Sequence, residues 1–515
     1  MIGASRPMPR FVRVHRLLLG ACACALAGCT LGPDFKRPEP PTATGYAMAG
    51  DDANAGAVQT EVGQQVVGDW WTLFRSPTLD ALMRQAIAGS PTLAEARARL
   101  AEAHAAQGAQ GGLLTADATG GFKREEANLN ALSGGSFSSF SVPGFPPIVT
   151  NPEFNLYSVG ASVSYNLDVF GGQRRLRESL AAQTEAQRRE LDAAYLTLTG
   201  KVVQQALIIA DADIQTAELQ AIAADDQRDL DMITRARGAG GAAGIDVAQA
   251  EAQLAKDQAM LPVQSQRRAQ ARHALAVLVG RSPADWSAPD FDASSGSLPA
   301  ALPVALPSTL VRQRPDILEA EAKLHAATAE IGVATADLYP KISLTGTINQ
   351  DALTLQSLFD KGSTSFTLGP SVSLPLFHSG ELRARKREAE AEAEAALASY
   401  RETVLEAFAQ VDDALQAIAH DNQAYDEDAK SLDAAQRRLD MARKGFAAGG
   451  LSARDLLDAQ QSVRRARLTL KAQGTSRYAD AAVLLLAVAA PPQSGDAQAE
   501  NTSSSPGADP AAAGR

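Results

Sequence analysis

From Tyr157 to Val169 the odd positions read Tyr157, Val159, Ala161, Val163, Tyr165, Leu167 and Val169, while Ser158, Gly160, Ser162, Ser164, Asn166 and Asp168 fill the even ones. A period of two over that length is a strand with one apolar and one polar face. The pattern returns where Phe366, Leu368, Val372, Leu374 and Leu376 alternate with Thr367, Gly369, Ser371 and Ser373. Thirteen residues at about 3.3 Å each reach roughly 43 Å, ample for a tilted membrane-crossing strand of about ten residues. Each strong strand has a weaker hairpin partner upstream, Ala118 to Arg124 and Ile342 to Ile348. Pro370 and Pro375 give no N–H to a ladder, so they imply bulges or ends in the second strand. A half-buried sheet in a soluble sandwich has the same periodicity, and the strands alone leave the two open.

Each strong strand is followed by a long polar, alanine-rich stretch without proline, Gln173 to Arg237 and Glu381 to Gly445. Leu191, Tyr195, Leu198 and Val202 step by four, three and four, and so do Val404, Phe408, Val411, Leu415 and Ile418. That is a narrow helical seam. About 65 residues at 1.5 Å rise make a rod near 100 Å long. Gly238-Ala239-Gly240-Gly241 and Ala448-Gly449-Gly450 end the two rods, as glycines past helix C-termini do. After the second cluster Leu456, Val463 and Leu470, seven apart, predict a returning helix.

These elements recur in order. Ser90-Pro91-Thr92-Leu93-Ala94-Glu95-Ala96 returns as Arg314-Pro315-Asp316-Ile317-Leu318-Glu319-Ala320, and Leu167-Asp168-Val169-Phe170-Gly171-Gly172 as Leu374-Pro375-Leu376-Phe377-His378-Ser379-Gly380. Asp246-Val247-Ala248-Gln249 returns loosely as Leu457-Asp458-Ala459-Gln460. The offset of roughly 210 to 225 residues far exceeds a solenoid period and reads as an internal duplication. The repeats span 70–282 and 308–490, joined by a proline-rich connector at 283–307. An extended segment covers 29–69, and a Ser-, Pro- and Ala-rich tail at 491–515 has no periodicity and is expected to be disordered.

The first 28 residues read as an address. Arg6, Arg10, Arg13 and Arg16 precede the short apolar run Leu17 to Ala27, which is too short for a membrane span. Leu26-Ala27-Gly28-Cys29 looks like a lipoprotein cleavage box, making Cys29 the site of lipid attachment and the only mature cysteine, which excludes a disulfide within one chain. Processing takes the formal charge from −11 to −15. That acidic balance argues against nucleic acid. Thr30 rather than Asp after the cysteine favours the outer membrane over the inner.

Four strands cannot close a barrel, and an open edge cannot stand in lipid. Three copies would give a twelve-stranded barrel, within the range of membrane barrels. The expected fold is therefore an α+β membrane protein: a trimeric 12-stranded β-barrel, four strands per chain, continued by a long α-helical periplasmic barrel.

The sequence resembles the TolC/OprM outer-membrane efflux duct family in its NodT-like lipoprotein branch, from Cys29 to about Ala490. The resemblance rests on Leu31-Gly32-Pro33-Asp34-Phe35-Lys36-Arg37-Pro38, Trp70-Trp71 with Phe74 and Pro77, and the stretch Leu306 to Leu344. That stretch contains Arg314-Pro315-Asp316-Ile317, Ala320-Glu321, Ile331-Gly332 and Tyr339-Pro340; Leu457-Asp458-Ala459-Gln460 closes the set. It implies a homotrimeric tube in the outer membrane of a Gram-negative bacterium. The tube would meet a periplasmic adaptor and an inner-membrane transporter of the RND type, and export drugs or other small molecules without enzymatic chemistry. It also implies an acidic constriction at the periplasmic tip. Asp455 and Asp458, three apart and on one helical face, match the family's acidic pore positions and by symmetry would form two rings. The same residues would serve as ordinary helix N-terminal acids. Arg454 departs from the apolar constriction of one branch and would instead pair with a neighbouring chain's aspartate.

No cofactor is expected beyond a covalent lipid on Cys29. His15, His104, His273, His325, His378 and His420 show no metal spacing and read as solvated helix residues. No P-loop or Gly-x-Ser-x-Gly appears; Gly238 to Gly244 lacks the preceding strand of a phosphate cradle. Glu388, Glu390, Glu392 and Glu394 read as a solvated face, or as one that lines a lumen or meets an adaptor. A lipid-anchored periplasmic coiled-coil scaffold, the rival class, has no use for the alternating strands. Within the duct class, type I secretion is the rival cargo.

Overall fold

The computed structural model describes residues 30–40, 45–46, 60–62, 68–110, 112–126, 153–291, 302–304, 306–377 and 379–491. The expected signal peptide, Cys29, residues 127–152, the connector positions 292–301 and 305, and the tail beyond Pro491 lie outside them. The strands are β1 (Thr60–Val62), β2 (Leu114–Glu126), β3 (Glu153–Asn166), β4 (Leu302–Val304), β5 (Lys341–Ala352) and β6 (Thr364–Ser373). The helices are α1 (Pro77–Gly89), α2 (Pro91–Ala109), α3 (Gly172–Gly238), α4 (Gly244–Gln258), α5 (Met260–Leu278), α6 (Pro307–Leu310), α7 (Pro315–Ala336), α8 (Ser379–Ala447) and α9 (Ala453–Val488). Two compact units divide the chain. One comprises Met1–Lys36, Ala103–Thr184 and Lys323–Leu397; the other comprises Arg37–Glu102, Glu185–Ala322 and Ala398–Arg515.

The first unit holds a four-stranded antiparallel sheet in the order β2-β3-β5-β6. Its registers run unbroken from Leu114↔Tyr165 to Glu126↔Glu153 and from Lys341↔Ser373 to Gln350↔Thr364. The bulge expected at Pro370 is therefore not present. Pro370 pairs opposite Leu344 in β6, an edge strand among the described residues, where a proline is tolerated. Pro375 lies past the strand end. The expected strands also ran too far: Leu167 and Val169 fall after β3, and Leu374 and Leu376 after β6. Asp168 ends β3's run by turning at φ 44°, and its carboxylate accepts from the backbone N–H groups of Gln173 (2.8 Å) and Arg174 (2.9 Å). The residue that reads as strand is thus the cap of α3, satisfying donors that the first helical turn leaves open.

The second unit is helical. Trp70, Trp71 and Phe74 form a 3₁₀ turn whose rings pack into one core with Leu82, Met83, Leu198, Val202, Leu275, Ile317, Val404, Val411, Leu484 and Leu485. The Trp70 indole N–H donates to the Thr199 hydroxyl at 3.2 Å, so the ring is buried with its polar atom satisfied. Both predicted seams are the buried faces of α3 and α8 here: Leu198, Val202, Val404, Val411 and Ile418 are buried, with Leu191, Tyr195, Phe408 and Leu415 packed against them. Arg314 ties three segments together, donating to Asp316 (2.7 Å), Gln410 (2.8 Å) and the Ala487 carbonyl (3.3 Å). A parallel pair, β1 with β4, places Leu302 and Val304 in this core and gives part of the proline-rich connector a fixed position.

Candidate functional site

In the strand unit the registers align every strand's pattern. One face carries Leu114, Ala116, Ala118 and Phe122 of β2, Tyr157, Val159, Ala161, Val163 and Tyr165 of β3, Ile342, Leu344 and Ile348 of β5, and Phe366, Leu368 and Val372 of β6. The other carries Thr115, Asp117, Thr119, Ser158, Ser162, Ser164, Asn166, Ser343, Thr345, Thr347, Asn349, Ser365, Thr367, Ser371 and Ser373. In a soluble sandwich the apolar face would be the buried one. Here the apolar face is not buried: Phe366 is 80% and Leu368 73% accessible, and Val159, Val163, Leu344 and Ile348 are also exposed. An apolar face of that extent needs lipid rather than water. Tyr157 and Tyr165 bracket it, about 26 Å apart along the strand, the scale of the roughly 25 Å apolar band with aromatic girdles of a membrane barrel. Phe122 packs on Tyr157 at 5.0 Å, and beyond this aromatic edge Arg124 meets Glu153 at 2.5 Å.

In the helical unit α3 and α8 end alike. Gly240 N–H bonds the Arg237 carbonyl and Gly241 N–H the Ala236 carbonyl; Gly449 and Gly450 repeat this on Phe446 and Gly445. Gly240 (φ 80°) and Gly449 (φ 72°) supply the left-handed residue that such a C-terminal cap requires. After the second turn Ser452 caps α9. Its hydroxyl accepts from the Asp455 N–H at 3.3 Å, while the Asp455 Oδ2 accepts from the Ser452 N–H at 3.0 Å and its hydroxyl at 2.6 Å. These bonds hold the Asp455 carboxyl below its usual range. Within one chain Asp455 is a capping-box residue. Arg454 is exposed and Asp458 half-buried. Both line a cavity of about 250 Å³ that also reaches Asp226, Asp229 and Asp246, with Gln249 and Gln461.

Sequence reading missed the group behind that cavity. Arg464 of α9 is buried and lies 2.6 Å from Asp226, 3.4 Å from Asp229 and 3.7 Å from Asp225, all on α3. Asp226 is only 4% exposed. Burial and a shared hydrogen bond with Asp257 of α4 push Asp226 up to about 7, against the pull of Arg464. Burial likewise raises Asp229. The only sequence signal was the pair of charges Asp225-Asp226, unremarkable until α9 packs on it.

His325 corrects the expectation of a solvated histidine. It is half-buried, stacked on Phe35 at 4.3 Å between ring centroids, with Nε2 3.0 Å from Glu178. The run Glu388 to Glu394 is mostly exposed.

A sheet with one exposed apolar face and one hydroxyl-rich face, in a chain otherwise built of very long helices, is the design of an outer-membrane channel. The profile of the Outer membrane efflux protein family matches residues 82–281 and 306–490, and the chain belongs to that family. It is 29% identical to Nodulation protein T of Rhizobium leguminosarum bv. viciae over 469 residues, 89% of each chain. It is also 29% identical to outer membrane protein OprJ of Pseudomonas aeruginosa, over 85% of this chain and 88% of that one. Among solved structures, the outer-membrane channel OprN superposes with a TM-score of 0.79 at 27% identity, covering 90% of this chain and 99% of that one. The chain is an efflux channel of the outer membrane and not an enzyme.

Proposed function

We propose that three copies of this chain, each anchored by a lipid on Cys29, close one twelve-stranded barrel and serve as the exit duct of a tripartite system. A periplasmic adaptor and an inner-membrane transporter of the RND type would deliver small molecules into it. The observation that carries the reading is the two-faced sheet with unpaired outer strands: among the described residues neither β2 nor β6 has a second neighbour, and lipid tolerates no open edge. The hydroxyl-rich face then lines the duct. The parallel element order of the two halves, helix, hairpin, long helix and return, supports an internal duplication.

Asp455, Asp458 and Arg454 form the periplasmic gate in this reading. The cap bonds of Asp455 use Oδ2 alone, which leaves the role of a ring residue compatible with that of a cap. Symmetry brings like charges together in a narrow opening, where divalent cations would hold it shut and Arg454 would pair with the next chain. Single-channel conductance in planar bilayers tests this. The Asp455→Ala/Asp458→Ala variant, and Arg454→Ala separately, should raise the resting conductance severalfold and abolish its sensitivity to divalent cations. A double variant that conducts and responds like the parent would reduce both aspartates to helix caps.

A further inference from the structure

The segment that follows Cys29 is seated in a groove built for it. Leu31 N–H donates to the Phe170 carbonyl at 3.3 Å. The Arg175 guanidinium, with a side chain only 4% exposed, donates to the carbonyls of Leu31 (3.1 Å) and Gly32 (3.3 Å), to Asp34 (2.7 Å) and to Glu178 (2.7 Å). A buried guanidinium is tolerated only when its donors are matched in this way. Two of its acceptors are main-chain carbonyls, so it fixes the path of the backbone rather than the identity of a side chain. A second observation is independent of charge. A Cβ on Gly332 of α7 would lie 2.6 Å from the Arg175 Cγ and 2.9 Å from the Leu31 carbonyl, and one on Gly32 would lie 2.5 Å from the Gly332 Cα. Backbone therefore rests on backbone, with no room for a methyl group.

We propose that Arg175 is the positioning residue of the membrane anchor. It clamps residues 31–34 against the start of α3, and with them the point from which a lipid on Cys29 would extend. This rests on the reading of Cys29 as the acylated residue. The groove makes the anchor part of the folded strand unit instead of a free tether, and the stacking of Phe35 on His325 closes its far end.

Trypsin offers a direct assay, because Lys36–Arg37 is the sole cleavable bond between Thr30 and Arg75: Pro38 protects the bond after Arg37. A cut there releases residues 29–36 with any lipid they carry. The full-length protein, purified from outer membranes, is digested in mild detergent and the peptide is followed by mass spectrometry. Arg175→Met and Gly332→Ala should each release it at least tenfold faster than the parent, with cleavage elsewhere unchanged. Arg175→Lys, which reaches fewer acceptors, should fall between. Parental release rates in both Arg175→Met and Gly332→Ala would overturn the clamp, as would equal acceleration at every site, the mark of general destabilisation. If Arg175→Met does not accumulate, Gly332→Ala carries the test. A released peptide without acyl mass would remove the lipid from the proposal and leave the clamp to be judged on the rates.

Discussion

Arg464 brings one positive charge to a buried site where Asp225, Asp226 and Asp229 meet it from α3 and Asp257 stands beside Asp226 from α4. Full ionisation would leave an excess of buried negative charge, and the raised value of Asp226 relieves it by favouring the protonated form. The folded-state value of Asp226, about 7, lies above its ordinary 3.8. The folded protein thus holds a proton that the unfolded chain has already released above about pH 4. Stability from Asp226 is fully present below that pH and declines as pH rises through about 7. Asp226→Asn fixes the neutral form, since its amide can still accept from Arg464 and donate to Asp257. Thermal unfolding of the purified protein at pH 5.5 and pH 8 should show a drop of a few degrees for the parent and a smaller one for Asp226→Asn. Equal drops would assign the slope to other groups. Arg464→Leu strands the three aspartates and should cost about 3–5 kcal/mol, as breaking a buried ion pair does. Neither Arg464 nor Arg175 is legible in the sequence, because their partners lie 238 and 144 residues away. Asp168 was misread for a related reason: its polarity fits the even positions of a strand, and only its φ of 44° shows it to be a cap.

At the scale of elements, legibility followed period and length. The helices α3 and α8, 67 and 69 residues long, agree with their predicted ends to within a few positions, because proline-free seams closed by glycine clusters carry strong local signals. The β3 pattern was equally clear, whereas β2 was visible only in part, since its apolar face is made of Ala116, Ala118 and Gly120 between Leu114 and Phe122. The three-residue strands β1 and β4 were invisible; no period can be read in so few residues. The two faces of β3 also predict opposite responses to charge. Val163→Arg on the apolar face should cost about 2–4 kcal/mol of membrane stability, whereas Ser162→Arg should insert normally and shift ion selectivity. The fraction of folded barrel in outer-membrane extracts reads the first effect and reversal potential in bilayers the second. Similar losses in both would argue that the sheet does not separate lipid from water.

At the scale of the whole molecule, what one chain lacks is as informative as what it contains. Among the described residues the edges of β2 and β6 have no second neighbour, and lipid tolerates no open edge. In the proposed trimer, folding of the strand unit would be inseparable from meeting other copies, and apparent stability should depend on protomer concentration. This has a genetic meaning. A chain damaged along β6 but intact along β2 can still join a ring and prevent its closure. Expressed beside the normal gene, such a variant should be dominant, and efflux should fall well below half because every ring containing a damaged chain is lost. The same substitution in a chain that cannot dock at either edge should be recessive. Drug susceptibility of strains carrying both gene copies would separate the two cases. Gene dosage, rather than any catalytic constant, would then set how much export a cell commands.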